Sequence, residues 1–155
     1  MKIILLIALL LVSHSYGFSR FRSESADEIK EHLQENNWNV YAIYFFDSVK
    51  QLDDKVLRTH LKNDVLNTYG ENVWFAEIDV SKPENQQLLE VVQFDRERDA
   101  LVKGSARQKD VPFVMLMCHG LGWILQGDNA HHHVHNYMEH LISHAENRET
   151  VAHDF

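Results

Sequence analysis

Residues 111–127 read VPFVMLMCHGLGWILQG, and this stretch decides the fold. Val111-Pro112 opens an apolar strand that runs through Cys118. His119-Gly120-Leu121-Gly122 is turn chemistry, and Trp123–Gln126 returns as a second strand, so the segment predicts an antiparallel hairpin. Gly127-Asp128-Asn129 then leads into a helix to about Asn147. Val134, Tyr137, Met138, Leu141 and Ile142 fall at i, i+3, i+4, i+7 and i+8 and mark the inner face of that helix.

Upstream, Trp38–Phe46 (WNVYAIYFF) is a near-continuous run of apolar and aromatic residues. It lacks the alternation of a strand with one wet face, and so predicts a central strand covered on both sides. Asp47-Ser48 stops it. Gln51–Tyr69 reads as a long helix with a stripe of Leu52, Val56, Leu57, Leu61, Val65, Leu66 and Tyr69, and Gly70 supplies its stop. Acids at Asp53-Asp54 suit the first turn of such a helix, where they meet a favourable dipole. Val73–Val80 (VWFAEIDV) is a second strand, and Ser81-Lys82-Pro83 opens a further helix, with Pro83 suited to its first turn. Near the start, Ser25 and Glu28 form an S-x-x-E capping box for a helix that Asn36-Asn37 ends, with Ile29 and Leu33 on its inner face. Residues 95–109, rich in charge and carrying Gly104 and Ser105, read as a surface excursion. The order is α-β-α-β-α-β-β-α. The β-α-β unit is parallel and right-handed, the hairpin adds antiparallel strands, and helices cover both faces. The expectation is an α/β protein, a three-layer α/β/α sandwich with a mixed four-stranded sheet.

Composition narrows the function classes. The chain has 155 residues and net charge −8, with 15 Lys+Arg against 23 Asp+Glu. That length suits one domain, placed at 25–147. Hydrophobic content of 45% argues against disorder. The acidic balance argues against nucleic acid as a partner, since non-specific binding rests on neutralising phosphates. One cysteine excludes an internal disulfide framework, a four-cysteine zinc site and any two-cysteine redox motif. Cys118, inside an apolar run, is expected to be buried. Met1–Gly17 has the parts of a secretory signal: Lys2, the ten apolar residues Ile3–Val12, and small residues Ser15 and Gly17 ahead of a cut before Phe18. The apolar part is too short to span a bilayer as a helix. Cleavage directs the chain to the endoplasmic reticulum lumen or the exterior; a retained leader would associate it with a membrane. Residues 18–24 are then a short basic arm, and 148–155 a frayed tail.

The element order, with Val111-Pro112 before the penultimate strand, the Gly-containing turn at 119–122 and Gly127 before the last helix, resembles the thioredoxin-like fold family over roughly residues 25–146. The family's redox pair follows its first central strand. Matched to Ile43–Phe46, the pair falls near Lys50 and Asp53, in Asp47-Ser48-Val49-Lys50-Gln51-Leu52-Asp53, where no cysteine stands. Thiol–disulfide exchange needs an attacking thiolate and usually a resolving partner. The chain is therefore similar to redox-inactive members, such as the non-catalytic domains of protein disulfide isomerases. The acid that many members bury in the central strand would fall near Tyr44, which cannot serve as that base. The resemblance also implies a cis peptide at Val111-Pro112 and a backbone edge beside it that can pair with an extended peptide. The binding surface so implied joins Ser48, Val49, Lys50, Gln51 and Leu52 to Val111, Pro112 and Phe113. The plainer alternative is a proline that only fixes where the strand starts.

Six of the eleven histidines lie in 131–144. His131/His135 and His140/His144 are i, i+4 pairs, able to clamp a metal from a helix face. Each pair alone is an incomplete site, and a third ligand would have to come from Asp128, Glu139 or elsewhere. The bland reading is a solvated, histidine-rich helix face with adventitious affinity for divalent metal and no cofactor. Histidine titrates near neutrality, so a pH response of the last helix is a further expectation. Neither a Gly-x-Ser-x-Gly elbow nor a Walker-type loop occurs, and Asp47 with Ser48 does not make a nucleophile set.

Three readings result. The first is a non-catalytic thioredoxin-like scaffold or chaperone-like domain of the secretory pathway, binding a protein client or serving as a subunit of a larger assembly. The second is a thioredoxin-fold enzyme working through Cys118 alone. The third is a histidine-based metal or pH module.

Overall fold

The structure, a computed structural model, describes residues 26–35, 38–70, 73–89 and 111–152. The leader, the arm at 18–24, Ser25 of the capping box, Asn36-Asn37 and the 95–109 excursion lie outside the described residues. Helix α1 (Ala26–Glu35) precedes strand β1 (Val40–Phe46). Helix α2 starts as Lys55–His60, continues through a π-helical stretch at Leu61–Val65 and finishes as Leu66–Tyr69. Strand β2 (Val73–Asp79) is followed by a helical segment α3 at residues 83–89. Strands β3 (Phe113–Cys118) and β4 (Leu121–Leu125) lead to α4 (Ala130–Ala152). Among the described residues no helix is long and apolar enough to cross a membrane.

The four strands form one sheet in the order β2-β1-β3-β4. β1 pairs with β2 in parallel and with β3 antiparallel, and β3 pairs with β4 antiparallel. The continuous apolar character of β1 has the expected cause: every residue from Val40 to Phe45 is buried, alternately on one face and the other. Val40, Ala42 and Tyr44 meet Leu57, Leu61 and Val65 of α2 and Val134, Met138 and Leu141 of α4. Tyr41, Ile43 and Phe45 meet Ala26 and Ile29 of α1, Leu88 of α3 and Phe113. Helices thus cover both faces, and the fold is the thioredoxin-like α/β arrangement that the sequence implied.

Three boundaries differ from expectation, each for a local reason. The hairpin loop contracts to His119-Gly120, whose φ values of 44° and 77° are the pair a tight two-residue turn requires, so β4 begins at Leu121. Gly122 is therefore a strand residue. A Cβ there would lie 3.1 Å from the Leu116 carbonyl oxygen, so the glycine permits a close approach of the two strands. Helix α4 continues past Asn147 to Ala152. The largest difference is at α2. It begins at Lys55, with Asp54 as N-cap accepting from the Leu57 amide at 2.9 Å, and residues 48–52 are not helical.

Candidate functional site

The segment that replaces the redox pair is a closed turn. Asp47 and Leu52 exchange backbone hydrogen bonds of 3.1 and 2.9 Å, forming an isolated antiparallel bridge. Inside it the buried Asp47 carboxylate accepts from the Lys50 amide at 2.8 Å. That is the bond of a helix N-cap, and it starts one turn. Gln51 then adopts φ 56°, which ends the helical course, and the chain restarts a helix only after the second cap at Asp54. Two capping acids seven positions apart thus produce a turn followed by a helix, where the apolar stripe alone suggested one long helix.

Hydrogen bonds pin this turn to the sheet from two sides. The Ser48 amide and hydroxyl donate to the Asp79 carboxylate at the end of β2, at 3.1 and 2.5 Å, and the Ser81 amide and hydroxyl donate to it at 3.1 and 2.7 Å. Burial opposes the charge on Asp79, but these four donors outweigh it and hold the carboxyl down at about 2. On the other side, the Tyr44 hydroxyl donates to Asp53 Oδ1 at 2.6 Å and accepts from the Asp54 amide at 2.8 Å. Arg58 bonds Asp53 at 3.2 Å and Glu77 at 2.6 Å, and Lys62 reaches Glu77 at 2.8 Å. The Arg58 guanidinium also lies 4.7 Å over the Phe46 ring. Burial and the hydrogen bond to Asp53 push the Tyr44 hydroxyl far above its ordinary value. Where the resemblance placed a carboxylate base, the chain has a proton donor locked in structural bonds.

The turn exposes apolar side chains alongside polar ones. Val49 is 78% exposed, Leu52 36% and Val56 62%, and these are the exposed large hydrophobic residues among those described. All three fall within one short stretch around the turn. Ser48, Lys50 and Gln51 are also exposed. Across the sheet, Phe45 faces Phe113, so the β1 end that feeds the turn lies beside Pro112. The Val111-Pro112 peptide is cis. Pro112 is half-buried, whereas Val111 and Phe113 are buried, Phe113 stacked on Phe45 at 4.7 Å. Of the eight residues expected at the surface, six reach solvent, while Val111 and Phe113 are buried. Leu52 and Val56 stand outside the core, contrary to the helical stripe. The cap at Asp54 puts Leu57, Leu61 and Val65 on the inner face at i, i+4 spacing and turns Val56 away. That spacing was the available signal for Val56, which sequence reasoning missed as a surface residue.

Cys118 is fully buried in β3, and its thiol donates to the Trp38 carbonyl at 3.2 Å. Burial raises its pKa, away from a reactive thiolate. The histidine pairs separate. His131 and His135 face His60 of α2. His140 lies 6.3 Å from the Trp123 ring, and His144 lies 5.6 Å from Trp38, on which His119 stacks at 3.7 Å. Among the described residues no group of three or more His, Cys, Asp or Glu side chains is placed so that it could hold a metal ion.

No family model matches the chain, and no curated protein matches it in sequence. Solved structures do. Thioredoxin O2 from Arabidopsis thaliana superposes with a TM-score of 0.59 at 15% identity, over 82% of this chain and 97% of that one. The germline-specific thioredoxin Deadhead of Drosophila melanogaster gives 0.52 at 14% identity, over 77% and 97%. Thioredoxin from Trypanosoma brucei brucei gives 0.51 at 11% identity, over 81% and 96%. At such identities the likeness concerns the fold: the chain has a thioredoxin-like fold and, with one cysteine, no redox pair.

Proposed function

We propose that the chain is a non-catalytic thioredoxin-like domain that binds a protein client or partner through the apolar turn at 48–56 and the main chain at Val111-Pro112. The observation that carries this reading is that Val49, Leu52 and Val56, the exposed large hydrophobic residues among those described, all fall in the stretch that follows β1, the strand whose Phe45 pairs with Phe113 next to the cis proline. Exposed apolar side chains confined to one patch mark an interaction site. The seal over Cys118 supports a role without thiol chemistry, as in the non-catalytic domains of protein disulfide isomerases. The leader supports work in the secretory pathway, as a chaperone-like binder or a subunit of an assembly.

The test is fluorescence anisotropy with extended apolar peptides, run beside a disulfide-reduction assay. The native chain binds the peptides without turnover. The double variant Val49→Asp, Val56→Asp weakens binding at least about tenfold, a loss of roughly 1.4 kcal/mol, with the unfolding midpoint unchanged. Reductase or isomerase turnover by the pure chain, or peptide binding indifferent to the two aspartates, would overturn the reading. Amino-terminal sequencing of the protein recovered from secreting cells tests the leader, with Phe18 expected first.

A further inference from the structure

Helices α2 and α4 meet along a seam that carries histidine on both sides. The His60 ring of α2 lies 5.9 Å from that of His131 and 5.2 Å from that of His135. His131 and His135 are the i, i+4 pair at the start of α4. Tetrahedral metal–imidazole bonds of about 2.0–2.1 Å leave ring centres about 5 Å apart. The His60 ring is at nearly that separation from each of the other two.

Hydrogen bonding decides which nitrogens are available. His60 Nδ1 lies 2.7 Å from Asp64 Oδ2, so the carboxylate holds the proton on Nδ1 and leaves the lone pair on Nε2. That Nε2 is buried and has no hydrogen-bond partner. A buried, unsatisfied acceptor is costly unless something fills it. His135 shows the same arrangement one step longer. Tyr69 Oη reaches Glu139 at 3.5 Å and His135 Nδ1 at 3.3 Å; with the hydroxyl proton directed to Glu139, His135 Nδ1 is the donor and Nε2 carries the lone pair. Metal-ligating histidines characteristically donate their other ring nitrogen to a carboxylate or polar partner, which fixes the tautomer and orients the ring.

The helix geometry serves the same juxtaposition. His60 and Tyr69 are nine positions apart, about two and a half turns of a regular α-helix, which would set them on opposite sides. Between them lies the π-helical stretch Leu61–Val65, whose wider turns delay the winding. Both side chains consequently meet His135, with the Tyr69 ring 5.6 Å from it.

We propose that His60, His131 and His135 bind one divalent transition-metal ion of the zinc class, with water completing the coordination, and that the ion staples α2 to α4. As placed the three side chains do not form a cage, so binding requires movement of His131, which is half-exposed in the first turn of α4 and lies against His132 at 3.9 Å. Asp64 and Glu139 lie behind the ligands and offset the charge. The site is separate from the turn at 48–56 and stands or falls without it.

Calorimetric titration of the full chain with zinc chloride, paired with thermal unfolding in zinc and in chelator, tests the proposal. One ion per chain, with a raised unfolding temperature, is expected. His60→Gln and His135→Gln each lower the affinity at least about tenfold, in keeping with losses seen even for outer partners of metal ligands. His133→Gln and His140→Gln leave it unchanged. A cobalt titration of the native chain gives the intense visible absorption of four-coordinate geometry, a readout that needs no variant to fold. Absence of zinc binding, a weak six-coordinate cobalt spectrum, or equal affinity in His60→Gln, which would mean an adventitious ion on the exposed 131–133 run, would each overturn it.

Discussion

Two polar regions border α2, and they are built on opposite terms. At its start, Tyr44, Asp53, Asp54 and Arg58 satisfy one another with hydrogen bonds. Along its α4-facing side, His60 keeps a buried nitrogen with no partner. The first region has consumed its polar capacity in holding a shape. The second retains capacity, and that is the mark of a place with room for a ligand. A saturated network specifies one structure, while an open one implies a visitor or a standing cost.

Replacing a ring hydroxyl or ring nitrogen by the matching apolar ring in each region separates them most sharply. Tyr44→Phe leaves Asp53 Oδ1 and the Asp54 amide without their Tyr44 partner, and urea unfolding should show a loss of about 2 kcal/mol. His60→Phe, in chelator, removes an unsatisfied nitrogen and frees the exposed Asp64 to water. It should change stability by less than about 0.5 kcal/mol. Equal costs would erase the contrast. Asp54→Ala lies between them: loss of the α2 cap should cost about 1 kcal/mol by the same measurement.

Acid gives the most specific effect. Asp79 is held at about 2 against an ordinary 3.8. A carboxyl lowered by folding contributes stability that is complete above its unfolded value and fades as pH falls through the folded one. Stability tied to Asp79 should therefore decline between about pH 4 and pH 2. Ser48→Ala removes one of its donors, so NMR titration should find its pKa closer to 3.8, and the acid-dependent loss should shrink. An unchanged titration would show that Ser48 does not hold the turn to β2.

The sequence disclosed the fold because its signals were local or periodic. β1 announced two-sided burial by lacking alternation, and Phe113–Cys118 with His119-Gly120 announced the hairpin. The turn at 47–54 stayed hidden because its deciding bonds cross the sheet. Nothing in the order Asp47-Ser48-Val49 states that Leu52 will pair back to Asp47 or that Tyr44 will take Asp53. Leu52 and Val56 then completed an apolar stripe that the structure breaks. The histidine seam was half legible. The i, i+4 pair at His131 and His135 could be read, but the facing residue lies on another helix, and a π-helical stretch with no sequence signature decides what that helix presents.

The sealed sulfur under Trp38 has a consequence for how long any association lasts. A thiol walled in this way is kept from forming mixed disulfides with other molecules. If the chain binds a client as proposed, release is by simple dissociation, and residence time follows contact strength and not the redox state of the surroundings.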